Sequence, residues 1–274
     1  MRDVVSVPAR PRVSLLGWGL DEEENLPSYV ERAEHFLRGV SDDFELILVD
    51  DGSADATWAI ASALQSTRPW MTTLRNDRNR GSAYSAKRAI EAATKDYLLW
   101  QTVDWAYDIS ALGDAFALLG TYDVLQGVRH ASTSWHAIAT ARSDNFFKGL
   151  VSFVNYALIR SLFRLPLGDY QNVTVYPTRL VQSFAFESDS SFMNAELLLK
   201  AWWQGASFKE INVPFIKRRY GRSKGTRPMA IVKAISDICY WWFRWVVLGR
   251  RPHKGRGRVE ALAPAPARSE WSGA

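Results

Sequence analysis

The chain has 274 residues, 47% of them hydrophobic, so it can build a sizeable core and global disorder is excluded. Its 34 Lys and Arg outweigh 29 Asp and Glu, leaving a formal net charge of +5. That surplus favours anionic partners (nucleotide phosphates, acidic headgroups or nucleic acid) without choosing among them. The single cysteine, Cys239, excludes an internal disulfide and a cysteine-cluster metal site, and its apolar setting predicts an inert core position. Residues 1–12 lack the apolar run and cleavage site of a secretory signal, so a reducing, cytoplasmic location is expected. No stretch reaches the ~18 uncharged apolar residues of a spanning helix.

Residues 13–16 read as a strand. The S-x-x-E pair Ser28 and Glu31 reads as a capping box for a helix in which Val30, Ala33 and Leu37 recur at helical spacing. Residues 44–49 (FELILV) predict a second strand, ended by the Asp50-Asp51-Gly52-Ser53 turn, and Trp58, Ala61 and Leu64 stripe the next helix. A third strand covers 71–74, and Gly81 leads into a helix reaching Ala93. Then come a strand at 97–101 (YLLWQ), a helix over 109–119 and a strand at 123–128 (DVLQGV). Repeated βα units of this length predict an α/β fold, a mainly parallel sheet covered on both faces. Ligands of such sheets bind at the carboxyl ends of the strands, where strand order reverses.

The second half predicts helices over 145–163 and 192–203, strands near 173–176 and 208–213, the basic run 217–224, and a Trp-rich helix over 229–248. From Arg250 onward Pro, Gly, Ala and Arg dominate, which predicts a disordered tail. The chain thus divides into 1–224, an amphipathic segment at 225–249, and a basic tail at 250–274.

The chemistry-bearing residues fall at the strand ends. Asp21-Glu22-Glu23-Glu24-Asn25 is either a solvated acidic helix start or part of a site. Asp50 and Asp51 can hold a ribose, a base or a metal, or form a plain Asx turn. Arg75, Arg78 and Arg80 precede a helix N-terminus and suit a diphosphate or a solvated loop. Asp104, just past the fourth strand, stands where a divalent cation bridging two phosphates would be held.

In that order these segments resemble glycosyltransferase family 2, particularly its polyprenyl-phosphate branch, the dolichyl-phosphate mannose synthases and bacterial relatives. The family's Y-N-E-E-E-N-L is matched by Leu20-Asp21-Glu22-Glu23-Glu24-Asn25-Leu26, and V-D-D-G-S-x-D-x-T by VDDGSADAT at 49–57. N-x-G is Asn79-Arg80-Gly81, the metal-binding D-x-D falls at Thr102-Val103-Asp104, and G-S-R is Gly127-Val128-Arg129. The late R-x-Y-G-x-S-K is matched by Arg218, Tyr220, Gly221, Ser223 and Lys224.

The resemblance implies a GT-A fold and inverting transfer from a nucleoside diphosphate sugar. It places Glu22, Asp51, Gly81 and Thr102 on the nucleotide side, and Asp104 on a divalent cation, Mg²⁺ or Mn²⁺. Arg129, Arg218 and Lys224 would surround the phosphates of donor and acceptor. Glu196 matches a family carboxylate, and it equally suits a brace for its helix.

Two departures from the family pattern bear on the chemistry, one at the metal motif and one at 169–172. Thr102 replaces the first Asp of D-x-D, and Ala106 stands where a third metal ligand is often found. Metal affinity is then lower, or Asp108 substitutes, or Arg75, Arg78 and Arg80 share the neutralisation, or activity is lost. Asp169-Tyr170-Gln171-Asn172 replaces the usual D-x-x-S-G, which leaves the acceptor open.

Ile231, Ile235, Ile238, Trp242 and Trp245 share one face of the Trp-rich helix, followed by Arg250, Arg251, Lys254, Arg256 and Arg258. That pattern suits either an interfacial helix on an anionic membrane or docking on the chain's own core or a dimer partner. Expected partners are a nucleoside diphosphate sugar, a lipid phosphate and an acidic membrane face, with a homo-oligomer or a membrane-protein partner also open. A polysaccharide or soluble acceptor, and a weakened nucleotide- or lipid-binding member, are the rival readings. A nucleic-acid module would explain the charge but not Asp50, Asp51 and Asp104 at strand ends.

Overall fold

The computed structural model describes residues 10–129, 146–216, 228–252 and 255–261. Eight strands form one sheet in the order β3-β2-β1-β4-β6-β5-β7-β8. They are β1 (Val13–Gly19), β2 (Phe44–Asp50), β3 (Met71–Arg75), β4 (Tyr97–Trp100), β5 (Val124–Val128), β6 (Thr174–Pro177), β7 (Ser207–Asn212) and β8 (Arg258–Glu260). All pairings are parallel except those of β6, which runs antiparallel to β4 and β5. The first four strands therefore wind outward and back, and the order reverses between β1 and β4. That is where such a sheet opens a crevice at its carboxyl edge.

The helices are α1 (Leu26–Val40), α2 (Thr57–Ser66), α3 (Ser82–Ala92), α4 (Ser110–Ala115), α5 (Phe146–Phe163), α6 (Thr178–Gln182), α7 (Met193–Trp203) and α8 (Pro228–Trp242). One core cluster joins α1 and α4 residues such as Tyr29, Leu37 and Leu112 to Leu15, Leu46 and Leu99 of the sheet. A second joins Ile90, Phe163, Leu197 and Trp241 to Leu16, Ile47 and Leu98. Neighbouring residues of one strand thus serve opposite layers, which is why these strands read as continuous apolar runs.

Three local expectations are corrected. Helix α1 begins at Leu26 with Pro27 in its first turn and Asn25 at the N-cap, so Ser28 lies inside the helix and the capping box does not form. Proline's fixed φ and missing N–H suit that first turn, and this outweighs the S-x-x-E pattern. The tail is not wholly irregular, because Arg258–Glu260 adds a parallel strand to β7. Cys239 is exposed rather than in the core.

On the Trp-rich helix, part of the apolar face docks on the chain's own core, one of the two placements left open by the sequence. Ile238, Trp241 and Trp245 are buried against the protein, with Trp245 fully enclosed. Its ring meets Phe163, Phe192, Trp203 and Trp241. The face expected to meet lipid is thus turned inward at Ile238 and Trp245, and different residues face outward. A wide helical turn at Phe243–Val247 follows α8 and carries Trp245. Among the described residues no helix is long and apolar enough to cross a membrane.

Candidate functional site

The site is built around Gly19, the last residue of β1. Gly19 O accepts the Asp51 amide at 2.9 Å, and Leu16 O accepts the Gln101 amide at 3.0 Å. A methyl group on Gly19 would lie 2.8 Å from Glu22 Cγ and 3.4 Å from Val103 Cγ2. The acidic segment after β1, the Asp-Asp turn after β2 and the Thr102-Val103-Asp104 turn after β4 therefore meet at the reversal point of the sheet.

The acidic segment is not simply a solvated helix start. Asp21 N–H donates to Ser53 Oγ at 2.9 Å, and Glu22 N–H to Thr57 Oγ1 at 2.8 Å. In return Ala54 N–H donates to Asp21 Oδ1 at 3.0 Å, and Ala56 N–H to Glu23 Oε2 at 2.9 Å. These reciprocal bonds tie together the loops after β1 and β2. Glu22 Oε2 also accepts from Asn25 Nδ2 at 2.8 Å.

Asp51, only 5% exposed, orders the third loop. Its Oδ1 accepts from Asn76 Nδ2 at 2.7 Å and from Arg80 N–H at 2.9 Å, while Oδ2 accepts from Gly81 N–H at 2.9 Å. A carboxylate thus already sits at the start of α3, where the helix dipole favours it. Asn76, which the sequence reading passed over in favour of Asn79, links this carboxylate to Ser85 Oγ at 2.9 Å. Its position at the end of β3 was the available signal.

Gly52 allows the two loops to close. Its φ is +77°, and a Cβ there would lie 2.4 Å from the backbone carbon of Arg78. Gly52→Ala is expected to cost about 3 kcal/mol through the positive φ and the backbone collision. Melting should fall by roughly 6–12 °C. An unchanged melt would show that the 76–81 loop yields freely.

Of the arginines expected to meet phosphate, Arg75 approaches Asp50 Oδ2 at 3.1 Å, and Arg80 pairs with Asp77 at 2.9 Å. The Arg80 guanidinium bond holds the Asp77 carboxyl below its ordinary range. Among the described residues Arg78 has no ion pair.

Thr102 is exposed, and its Oγ1 accepts the Ala106 N–H at 3.1 Å. Its hydroxyl thus caps the turn that carries Asp104. Trp105, next in the chain, adopts φ +51°, a strained conformation for a large side chain. Asp108 Oδ1 accepts from Ser110 Oγ at 2.6 Å and Ser110 N–H at 3.2 Å, serving the start of α4. It borders a cavity of about 910 Å³ between α1 and α4 that also has Trp105, Phe36 and Ile216 in its walls. Among the described residues no group of three His, Cys, Asp or Glu side chains stands ready for a metal.

Arg129 and Asp169, singled out separately in the sequence, are partners. Arg129 Nε donates to Asp169 Oδ2 at 2.6 Å and Nη2 to Oδ1 at 2.8 Å, a two-pronged pair with both side chains buried. Burial opposes the guanidinium charge, but the fields of Asp169 and Tyr107 and the Asp169 hydrogen bond outweigh it. The Arg129 pKa lies above its usual value. Tyr107 O accepts from Gln101 Nε2 at 2.7 Å, and Gln101 Oε1 accepts the Thr102 amide at 3.0 Å. The pair is thereby connected to the Asp104 turn through Gln101 and Tyr107, two residues that sequence reasoning did not select.

Glu196 braces structure at a different place. It is fully buried and accepts the Glu187 and Ser188 amides at 2.8 and 2.9 Å and Lys200 Nζ at 2.6 Å. Lys200 also pairs with Glu187 at 3.0 Å and lies 5.4 Å from the Trp245 ring centre. Arg218 and Lys224 lie outside the described residues.

The model of the family described as "Glycosyl transferase family 2" matches residues 21–166. Over 226 residues the chain is 27% identical to the glycosyltransferase AglD of Haloferax volcanii, covering 81% of this chain and 35% of that protein. It is 29% identical over 93 residues to a dolichol-phosphate mannosyltransferase of Pyrococcus furiosus, covering 34% of this chain and 26% of the relative. The chain thus spans about a third or less of the length of these curated relatives.

Among solved structures, glucosyl-3-phosphoglycerate synthase from Mycobacterium tuberculosis with uridine diphosphate aligns at TM-score 0.59 and 15% identity, covering 85% of this chain and 80% of that one. A mannosyltransferase from Pyrobaculum calidifontis with GDP-mannose and Mn²⁺ aligns at 0.58 and 15% identity, covering 90% and 72%. With the three loops gathered at the reversal of a mainly parallel sheet, and the family match across more than half of the sequence, the chain belongs to glycosyl transferase family 2 and has the GT-A fold.

Proposed function

We propose that the chain moves a sugar, with inversion, from a nucleoside diphosphate sugar to a polyprenyl phosphate at the cytoplasmic face of a membrane. The observation that carries this reading is the convergence of the acidic loop, the Asp51-ordered loop and the Asp104 turn on Gly19. Glu22 and the Asp50-Asp51-Gly52 turn border the nucleoside end, and Gly81 and Arg78 the phosphates. Bound nucleotides in the two solved neighbours, and relatives named for dolichol phosphate and bactoprenol, support donor and acceptor class respectively.

Asp104 would hold Mg²⁺ or Mn²⁺ together with the donor's diphosphate. Magnesium is commonly bound through one or two carboxylates plus substrate phosphate. The ion would neutralise charge on the departing diphosphate. The chain's own contribution is to hold donor and acceptor in line. A phosphate acceptor is already ionised near neutral pH, so attack at the anomeric carbon needs no dedicated general base. Arg218 and Lys224 would hold the phosphates, with Arg129, fixed by Asp169, shaping the wall behind them.

Thr102→Asp is expected to restore the second carboxylate while keeping an acceptor for the Ala106 N–H. The divalent-ion concentration for half-maximal activity should drop about tenfold; no change would show that position 102 is too far from the ion. For the function itself, radiolabelled sugar is supplied as several nucleotide sugars with a polyprenyl phosphate. Label moving into the organic phase is the expected result, and label confined to water with every donor would overturn the acceptor assignment.

A further inference from the structure

The outward side of α8 and the turn after it carry large apolar side chains. Val232, Tyr240, Phe243, Val246, Val247 and Leu248 are all exposed, and helical spacing puts Val232, Tyr240 and Phe243 on one side of α8. Val246 also lines a separate cavity of about 430 Å³. Three arginines, Arg164, Arg251 and Arg256, and three tryptophans, Trp202, Trp203 and Trp242, surround it, and no acidic side chain is in its lining. Among the described residues none of these arginines has a carboxylate partner. Around the candidate active site, by comparison, Arg75, Arg80 and Arg129 are paired and Arg78 is not.

The cavity is built rather than incidental. Arg256 lies between Gly255 and Gly257, and a Cβ at those positions would sit 2.6 Å from Trp203 O and 1.9 Å from Ala206 O. Only glycine lets this strand lead press against the end of α7, which fixes Arg256 at the cavity mouth. Arg164 directly follows α5 with φ +56°, and Arg251 follows the exposed apolar turn. The cavity lies by the amino ends of β7 and β8, away from the carboxyl edge that carries Asp51 and Asp104.

We infer that this cavity holds the phosphate headgroup of an anionic membrane lipid while Phe243, Val247 and Leu248 enter the acyl boundary. Unpaired guanidiniums supply the charge, indole rings suit the interface, and the apolar side is continuous with the pocket. Helix α8 would then lie along the membrane, anchored at its far end. The inference rests on the membrane-facing part of the function proposed above. It is tested without donor or acceptor, so each can fail separately.

Cys239 is the only cysteine and is exposed, so the full chain accepts one environment-sensitive fluorophore on the outward side of α8. The expected result is a blue shift and strong partition with phosphatidylcholine vesicles containing phosphatidylglycerol, and weak partition with phosphatidylcholine alone. Neutralising Arg164→Gln, Arg251→Gln and Arg256→Gln together should weaken partition on the order of a hundredfold, about fivefold per charge. An unchanged melt would confirm folding. Val247→Asp should also abolish partition with the arginines intact.

Equal partition into both vesicle types, or unaltered binding by the triple variant, would overturn the headgroup site. Release by soluble glycerol phosphate would assign the pocket to a free phosphate ligand instead. A blue shift that grows with protein concentration without vesicles would assign the surface to a second copy of the chain.

Discussion

Asp104→Ala is expected to lower sugar transfer by at least about a thousandfold, with the melting temperature within a few degrees of the unaltered chain. Asp104 is the one carboxylate of the Thr102-Val103-Asp104 turn, because position 102 carries a hydroxyl that bonds Ala106 N–H. A cation bridging the diphosphate would lose its only anionic ligand from that turn, and charge on the departing group would rise uncompensated. The fold should survive, since the turn remains closed by the Trp105 N–H to Thr102 O bond at 2.8 Å and the Ala106 cap. Steady-state kinetics against a divalent-ion titration, beside a thermal melt, reads both effects. Turnover within tenfold of normal would remove the metal role from Asp104.

Asp169→Asn is expected to act mainly on stability, by about 3–5 kcal/mol, or roughly 6–20 °C in melting temperature. The amide keeps the shape of the side chain but leaves the Arg129 guanidinium, only 6% exposed, without its counter-charge. Arg129 cannot escape by losing its proton, because a guanidinium stays charged in a protein. Exchanging the pair for two apolar residues should cost much less, because no charge would then be buried. If Asp169→Asn leaves the melt unchanged but raises the donor KM, Arg129 acts on phosphate directly and the buried pair is not its main duty.

The pairing of Arg129 with Asp169 is not legible in the sequence. The segment Gly127-Val128-Arg129 is recognisable as a landmark, and so is Asp169 in its altered motif. Nothing in their separation of 40 positions says that one will neutralise the other. Glu196 shows the same limit. Its i,i+4 relation to Lys200 is visible on the helix, but its grip on the Glu187 and Ser188 amides depends on a loop folded back over it. The Trp-rich helix showed one apolar face, and composition alone could not say whether lipid, the chain's own core or a partner would cover it. Trp245 is enclosed because Phe163, Phe192 and Trp203 converge from α5, the loop before α7, and α7 itself.

By itself the sequence determined the alternation of strands and helices, because period and burial are local properties of the chain. It also placed Glu22, Asp51 and Asp104 just after the first, second and fourth strands, since an acidic residue lies within a few positions of the end of each apolar run. Tertiary structure decided which strand lay beside which, and hence that those ends meet at Gly19. It also decided which charges were already spent on Asp77, Asp50 and Asp169, and which arginines stayed available beside the outward face of α8. Pairing of charges and covering of faces depend on distances between segments far apart in sequence. Those distances exist only once the sheet has formed.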